Sequence, residues 1–293
     1  MNQPTILLTG GTGFLGSKLL ETLVSQNYPV VLLKRSTSKL WRIDHLIKHI
    51  KSYDIDKIPL DKAFKEQKID IVIHTACEYG RSGKLTHQIV ESNILFGLKV
   101  LDSCLKYNIK TFFNTDTLLP NNLNSYTLSK KQFVEWLKIK SNKIQVVNLK
   151  IDLIYGIKDN STNFIPWVIS QLKQNVPKIK LTTGEQKRDF VYVEDVVSAF
   201  MTILKTTSTL QRYNEFDVGT GQLIEVKTFL EYLKKIYKSN FGAIKTRLAF
   251  GEIPYRQQEI MTVEVDNKPL IDLGWSPKMD VQQGLKEILK EYR

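Results

Sequence analysis

Apolar residues in the first half of the chain gather into short unbroken runs, separated by stretches with helical spacing. Residues 5–9, 30–33, 69–74, 111–114 and 146–150 are runs of strand length. Continuous rather than alternating hydrophobicity is what a strand buried on both faces requires. Between the first two runs, Phe14–Ser25 sets Leu15, Leu19, Leu20 and Leu23 on one helical face, and residues 85–107 and 126–140 read as two further helices. Strands and helices in alternation predict an α/β fold, a Rossmann-type doubly wound parallel sheet.

Beyond residue 155 the rhythm loosens. Pro166, Pro177, Gly184, Gly219, Gly221, Gly251 and Pro254 interrupt the pattern, so shorter elements and a smaller mixed α/β region are expected. The expected division is 1–155 for a dinucleotide-binding domain and 156–293 mainly for substrate binding, with some segments returning to the first core. A last helix is predicted from Asp280 as N-cap, with Val281, Gly284, Leu285, Ile288 and Leu289 on one face. Residues 34–51, rich in Lys, Arg and Ser, read as a surface loop leading into a helix.

Composition narrows the class only a little. The 293 residues are 42% hydrophobic and 25% charged, ordinary for a soluble globular protein. No apolar stretch approaches ~18 residues, and the start lacks a basic segment followed by a long apolar one. Neither a membrane span nor a secretory signal is therefore expected, and the location expected is cytoplasmic. Cys77 and Cys104 have no metal-ligand spacing and read as small core residues of a reduced protein, with no metal. A formal charge of +12 raises nucleic-acid binding, but the lysines are scattered and no recognition motif accompanies them. A positive field also suits diphosphate-bearing ligands.

The chemistry concentrates in two places. Thr9-Gly10-Gly11-Thr12-Gly13-Phe14-Leu15-Gly16 follows the first strand and opens the first helix. Gly10, Gly13 and Gly16 allow a tight turn, close approach of a pyrophosphate and close helix–strand packing; Thr12, Phe14 and Leu15 complete the loop. About 20 residues further on, where NAD-binding chains carry an acid for the ribose 2′-hydroxyl, stand Lys34, Arg35 and Ser36. These would cradle a 2′-phosphate, which favours NADP(H), or form a solvated basic turn. Secondly, Tyr126 and Lys130 share a helical face at i and i+4, with Thr115 just upstream. A cation beside the phenol is expected to draw its pKa down from ~10 toward the working range.

Together these features resemble the extended short-chain dehydrogenase/reductases, the NAD(P)-dependent epimerase/dehydratase family. The resemblance includes Tyr53-Asp54-Ile55-Asp56, Ile73-His74-Thr75-Ala76, Asn93, the stretch from Lys150 to Gly156, the stretch from Gln186 to Val196, Arg256 and Leu273-Gly274-Trp275-Ser276-Pro277. It implies that Asp54 and Ile55 meet the adenine end of the cofactor. Thr75, Ala76 and Asn93 would lie along the cofactor, and Lys130 would hold the nicotinamide ribose. By the same resemblance Thr115 would bond the substrate oxygen, Tyr126 would act as acid/base, and Asp116, Arg188 and Arg256 would touch a nucleotide-diphosphate sugar. A homodimer is usual in the family.

Three departures shape the expected activity. Only ten residues separate Thr115 from Tyr126, where the family has a longer loop, and Leu153 replaces a frequent substrate-contacting asparagine. Thr117 stands where the family's 4,6-dehydratases carry a glutamate, so water elimination is not expected. What remains is NADPH-dependent reduction of a nucleotide-linked 4-keto-6-deoxyhexose, as in the reductases of O-antigen pathways. Alternatives are a sugar epimerase with bound NAD and a non-catalytic NADP(H) sensor.

Overall fold

The computed structural model describes residues 3–81 and 83–292. It divides into two compact units: the chain up to Ile151 together with Phe200–Asp217, and Asp152–Ala199 together with the chain from Val218 onward.

In the first unit β1 (Ile6–Thr9), β2 (Val30–Lys34), β3 (Lys51–Asp54), β4 (Ile71–His74), β5 (Thr111–Thr117) and β6 (Gln145–Ile151) join the strand Tyr213–Val218 in one sheet. The order is Tyr213–Val218, β6, β5, β4, β1, β2, β3. The pairs β1/β2, β1/β4, β2/β3, β4/β5 and β5/β6 are parallel. The order reverses between β1 and β4, and in such sheets ligands bind at that reversal, outside the strands' carboxyl ends. Thr9 and His74 end these two strands side by side in register.

The helices of this unit are α1 (Phe14–Ser25), α2 (Asp61–Glu66), α3 (Thr86–Val90), α4 (Phe96–Lys106) and α5 (Ser125–Lys140). Val100, Leu101 and Cys104 of α4 and Phe133 and Leu137 of α5 bury their apolar faces with Phe112 and Val146 of the sheet. α5 starts with a reciprocal cap: Asn124 Oδ1 accepts the Thr127 amide at 2.9 Å, and Thr127 Oγ1 accepts the Asn124 amide at 3.1 Å.

Several local expectations change. The segment 34–51 leads not into a long helix but through turns and a short 3₁₀ turn into β3. That edge strand exposes Lys51 and Ser52 and so carries no apolar run. The helix expected over 85–107 contains a π-helical turn, Glu91–Leu95, between α3 and α4. On α1, Leu15 is only half-buried, whereas Gly16, Ser17 and Lys18 are buried. Cys104 is in the core, but Cys77 is half-buried in the segment after β4.

The second unit has a three-stranded sheet in the order Leu223–Glu225, Lys187–Tyr192, Leu153–Tyr155, and a parallel pair, Arg247–Ala249 with Lys178–Lys180. Its helices are not all short: Val226–Phe241 has 16 residues and packs Phe229, Leu230 and Leu233 into the core. The last helix is Val281–Lys290, capped by Asp280 on the Gln283 amide at 2.8 Å. Gly284 lies on its buried face because a Cβ there would meet the Tyr155 hydroxyl at 2.3 Å. The Leu273–Pro277 motif is structural here. Trp275 Nε1 donates to Ser198 Oγ at 2.8 Å, and the Asp195 carboxylate accepts the Lys278 and Met279 amides.

Candidate active site

The glycine loop leaves β1 at Thr9. Gly10 has φ +71°, and a Cβ on it would come within 2.5 Å of the Ala76 amide nitrogen. A Cβ on Gly16 would lie 2.2 Å from the Gly10 carbonyl oxygen, so helix and loop touch through backbone. Gly11 was not singled out from sequence, yet its Cβ would meet Leu32 Cδ1 at 2.5 Å. Its signal was only its place in the run. Gly13 is the N-cap of α1 without a side-chain cap, and the first turn, which holds Phe14 and Leu15, has no acidic residue. The free amides and positive dipole end of α1 therefore suit an anion. The Thr12 carbonyl accepts from Arg42 at 3.5 Å.

At the end of β2 the basic trio is not simply solvated. Lys34 Nζ lies 3.6 Å from Asp54, and Ser36 Oγ donates to the same carboxylate at 2.8 Å. The Ser36 amide donates to Asp56 at 2.9 Å, and Ile55 donates to the Lys34 carbonyl at 2.9 Å. Partial burial works against the Asp54 charge, but the Ser36 bond, the Asp56 amide and the Lys34 and Lys57 cations together hold its pKa below the usual value. Arg35 is exposed, and among the described residues its guanidinium has no hydrogen bond or ion pair.

The segment after β4 is tied to β1 and to α5. Thr75 Oγ1 donates to the Thr9 carbonyl at 2.8 Å, and the Ala76 amide reaches Thr9 Oγ1 at 3.3 Å. Thr9 Oγ1 also lies 2.8 Å from His74 Nδ1. Burial pushes His74 down to about 3, so its ring is neutral. Asn93 sits in the π-helical turn and is buried, its Oδ1 accepting the Glu78 amide at 2.6 Å. Its Nδ2 donates to the Glu78 carbonyl at 2.8 Å and to Ser129 Oγ at 2.9 Å. With these bonds made, Asn93 braces the loop.

Thr115, Tyr126 and Lys130 all lie in the first unit. Thr115 is buried on β5 and donates to the His74 carbonyl at 3.2 Å. Tyr126 is half-buried in the first turn of α5, and Ser129 Oγ donates to its carbonyl at 2.7 Å. Lys130 is buried, and among the described residues its ammonium has no hydrogen bond or ion pair. Burial lowers its pKa, with Cys77 and Asp116 opposing the fall. The Tyr126 phenol is pushed well above its ordinary value by burial, with Cys77 and Asp116 adding to the rise. The expected drop toward neutral pH is therefore not a property of the free chain, because desolvation outweighs any nearby cation. The neighbours Cys77 and Tyr79 were not linked to this site from sequence, yet the Tyr79 ring packs on that of Tyr126 with centroids 5.0 Å apart.

Asp116 faces away from solvent. Its carboxylate is paired with Lys131 Nζ at 2.7 Å, its side chain only 1% exposed, and Asn148 Nδ2 lies 3.4 Å away. The pair uses Oδ2 alone, and Oδ1 has no hydrogen-bond partner among the described residues. Thr117 Oγ1 accepts the Leu119 amide and its carbonyl accepts from Lys131. In the second unit Arg188 pairs with Glu259 at 3.0 Å and donates to the Lys187 carbonyl at 2.8 Å. Arg256 is exposed, with no side-chain partner among the described residues. Buried Asp189 accepts the Thr220 and Gly221 amides at 2.9 and 2.7 Å, fixing that turn. Leu153 packs against the core of its unit.

The glycine cradle, the uncapped start of α1 and the unpaired buried ammonium of Lys130 fit a diphosphate-bearing nicotinamide dinucleotide. Among the described residues there is no cluster of His, Cys, Asp or Glu able to hold a metal, and no helix long and apolar enough to cross a membrane. Fold and site define a Rossmann-type enzyme of nicotinamide chemistry. Residues 6–219 match the NAD dependent epimerase/dehydratase family, and the chain belongs to that family. It is 33% identical to the CDP-abequose synthase of Salmonella typhimurium over 97% of both chains, and 32% identical to that of Salmonella muenchen over 97% of this chain and 96% of the relative. The UDP-glucose 4-epimerase structure from Thermotoga maritima shares the fold with a TM-score of 0.84 at 21% identity, covering 99% of this chain and 98% of the other.

Proposed function

We propose that the protein is an NADPH-dependent ketoreductase acting on the 4-keto group of a nucleotide-linked 4-keto-6-deoxyhexose, CDP- or dTDP-linked, in the synthesis of a bacterial surface polysaccharide. The observation that carries this reading is the Tyr126–Lys130 pair on α5, in a chain like the CDP-abequose synthases along its whole length. A phenol held far above neutral is fully protonated and can donate. The residues 10–16 and Lys130 would hold the cofactor, with Arg35 placed toward a 2′-phosphate. The nicotinamide supplies hydride to the carbonyl carbon when bound. Tyr126 passes its proton to the carbonyl oxygen, and the Thr115 hydroxyl, turning its hydrogen away from the His74 carbonyl, steadies that oxygen as charge builds on it. Arg256, without a side-chain partner among the described residues, is the freer of the two arginines to bind a diphosphate, because Arg188 is committed to Glu259. Leu128, Trp136 and Ile139, exposed along α5, support a homodimer, with a cytoplasmic location.

One observation favours a second reading, an epimerase with retained NAD. Lys34 and Ser36 already engage Asp54, which leaves less positive charge for a 2′-phosphate. NADPH oxidation with CDP-, dTDP-, UDP- and GDP-linked 4-keto-6-deoxyhexoses decides between them. Turnover of at least one, abolished in Tyr126→Phe, is expected. No turnover of any sinks the proposal.

A further inference from the structure

Thr9, His74, Asn114 and Asn148 stand in one row across the sheet of the first unit, each in register with the next. All four are buried. Beyond Asn148 the edge strand Tyr213–Val218 adds Glu215, which reaches solvent.

Polar groups placed so deep need partners, and here the partners run along the row. Thr9 Oγ1 accepts the Ala76 amide at 3.3 Å and lies 2.8 Å from His74 Nδ1. Asn114 Nδ2 donates to Asn148 Oδ1 at 2.8 Å, and Asn148 Nδ2 donates to Glu215 Oε1 at 2.9 Å. Two buried atoms of the row are left over, His74 Nε2 and Asn114 Oδ1, with no hydrogen-bond partner among the described residues. They belong to neighbours in register, and each lies across its ring or amide group from the atom already bonded. The Phe96, Phe112 and Phe133 rings, with centroids 5.7, 5.8 and 5.6 Å from that of the imidazole, offer it no nitrogen or oxygen.

The carboxylate at the end of the row fixes the direction of every bond. Ionised Glu215 only accepts, so Asn148 must turn its NH2 group to it and its oxygen back to Asn114. Asn114 then gives its own NH2 group to Asn148 and keeps its oxygen for a donor on the His74 side. A neutral imidazole has one N–H. With that proton on Nε2, Nδ1 is left to accept from the Thr9 hydroxyl, whose oxygen takes the Ala76 amide.

We infer that these five side chains form one chain of hydrogen bonds running from the Ala76 amide to Glu215, with the His74 proton on Nε2 and directed at Asn114 Oδ1. Bonds aligned head to tail polarise one another, so Glu215, at the outer edge of the sheet, is a positioning residue for Ala76. That amide borders the glycine cradle, since a Cβ on Gly10 would come within 2.5 Å of it. The link to cofactor rests on the proposed function, whereas the chain of bonds does not.

The test is read on the imidazole and on NADPH binding. Long-range 15N–1H NMR separates the tautomers, because a protonated ring nitrogen and a bare one resonate far apart. The other histidines, His45, His49 and His87, are exposed, and replacing each by Gln leaves His74 as the remaining signal. His74 should be neutral with its proton on Nε2; a proton on Nδ1, or on both nitrogens, overturns the inference. Glu215→Leu, at an exposed position, should shift the His74 signals and weaken NADPH binding about twofold to tenfold, the worth of one hydrogen bond. Glu215→Gln keeps an acceptor and should lose less. In Glu215→Leu, unmoved His74 signals or an unchanged NADPH affinity would remove Glu215 as a positioning residue. A wild-type chain that binds no NADPH takes down the proposed cofactor, and the tautomer then still decides the chain of bonds.

Discussion

Asn93 holds both polar groups of Glu78, accepting its amide at 2.6 Å and donating to its carbonyl at 2.8 Å, while a third bond joins it to Ser129 on α5. The loop after β4 and the helix that carries Tyr126 are thus set by one buried side chain. Removing it strands several buried polar groups, each costing about 1–3 kcal/mol. Asn93→Ala should lower stability in urea titration by about 2–4 kcal/mol and lower kcat more than NADPH affinity. Lost NADPH affinity with unchanged stability would instead make Asn93 a direct cofactor ligand.

Gly16→Ala places a methyl group 2.2 Å from a backbone oxygen that has no room to move, because Gly10 is itself pressed on Ala76. NADPH binding by thermal shift should be lost. Gly13→Ala is the internal comparison, since its Cβ would stand 3.2 Å from the same oxygen, and its loss should be clearly smaller. Equal loss in both variants would mean that the crowding at Gly16 is not what shapes the cradle.

The first unit was readable in advance where one residue's own sterics or hydrophobicity decides the outcome. Doubly buried strands show as unbroken apolar runs, and loop glycines show where a Cβ cannot fit. β3 escaped because Lys51 and Ser52 face water on an edge. The polar residues were half legible: Asp116, Asn93 and Arg188 could be picked out by type and place. Their partners Lys131, Glu78 and Glu259 lie 15 to 71 residues away and follow from the fold alone. Whether such a residue binds a ligand or braces a loop depends on that partner. The phenol of Tyr126 makes the same point, since a lysine four residues on is visible in sequence and the burial that outweighs it is not.

Arg35 tests the cofactor. Among the described residues its guanidinium is unengaged, while Lys34 and Ser36 are held by Asp54. Arg35→Asp should cut kcat/KM for NADPH by about a hundredfold or more, a charge-paired contact being worth up to ~3 kcal/mol. NADH should change far less. Equal losses with both cofactors would remove the case for a 2′-phosphate site at the end of β2.

Asp152 should leave a pH signature on stability. Burial raises its carboxyl to about 6, against the pull of Arg188, where an unfolded chain has ~3.9. The folded state therefore binds this proton more tightly. Its stabilising contribution is complete below about pH 4 and is lost as pH rises through about 6. Asp152→Asn removes that loss, so its Tm relative to wild type should be higher near pH 8 than near pH 4.5. A Tm difference that does not vary with pH would show that the group is not protonated preferentially in the folded chain.

Asp116 and Lys131 form the pair that ties β5 to α5 one residue past Lys130. The carboxylate is almost wholly buried, and its Oδ1 has no other partner, so deleting Lys131 would leave a buried charge uncompensated. Breaking such a pair costs about 3–5 kcal/mol, whereas exposed pairs are worth less than ~1. Lys131→Met should therefore destabilise the protein by at least ~2 kcal/mol and slow turnover by tilting Lys130, with KM for the sugar little changed. Asp116→Asn, which keeps the shape and removes both charge and penalty, should be milder in stability. A carboxylate that touched substrate would behave in the opposite way. Asp116→Asn would then raise KM sharply at constant stability, and Lys131→Met would leave KM and Tm alone.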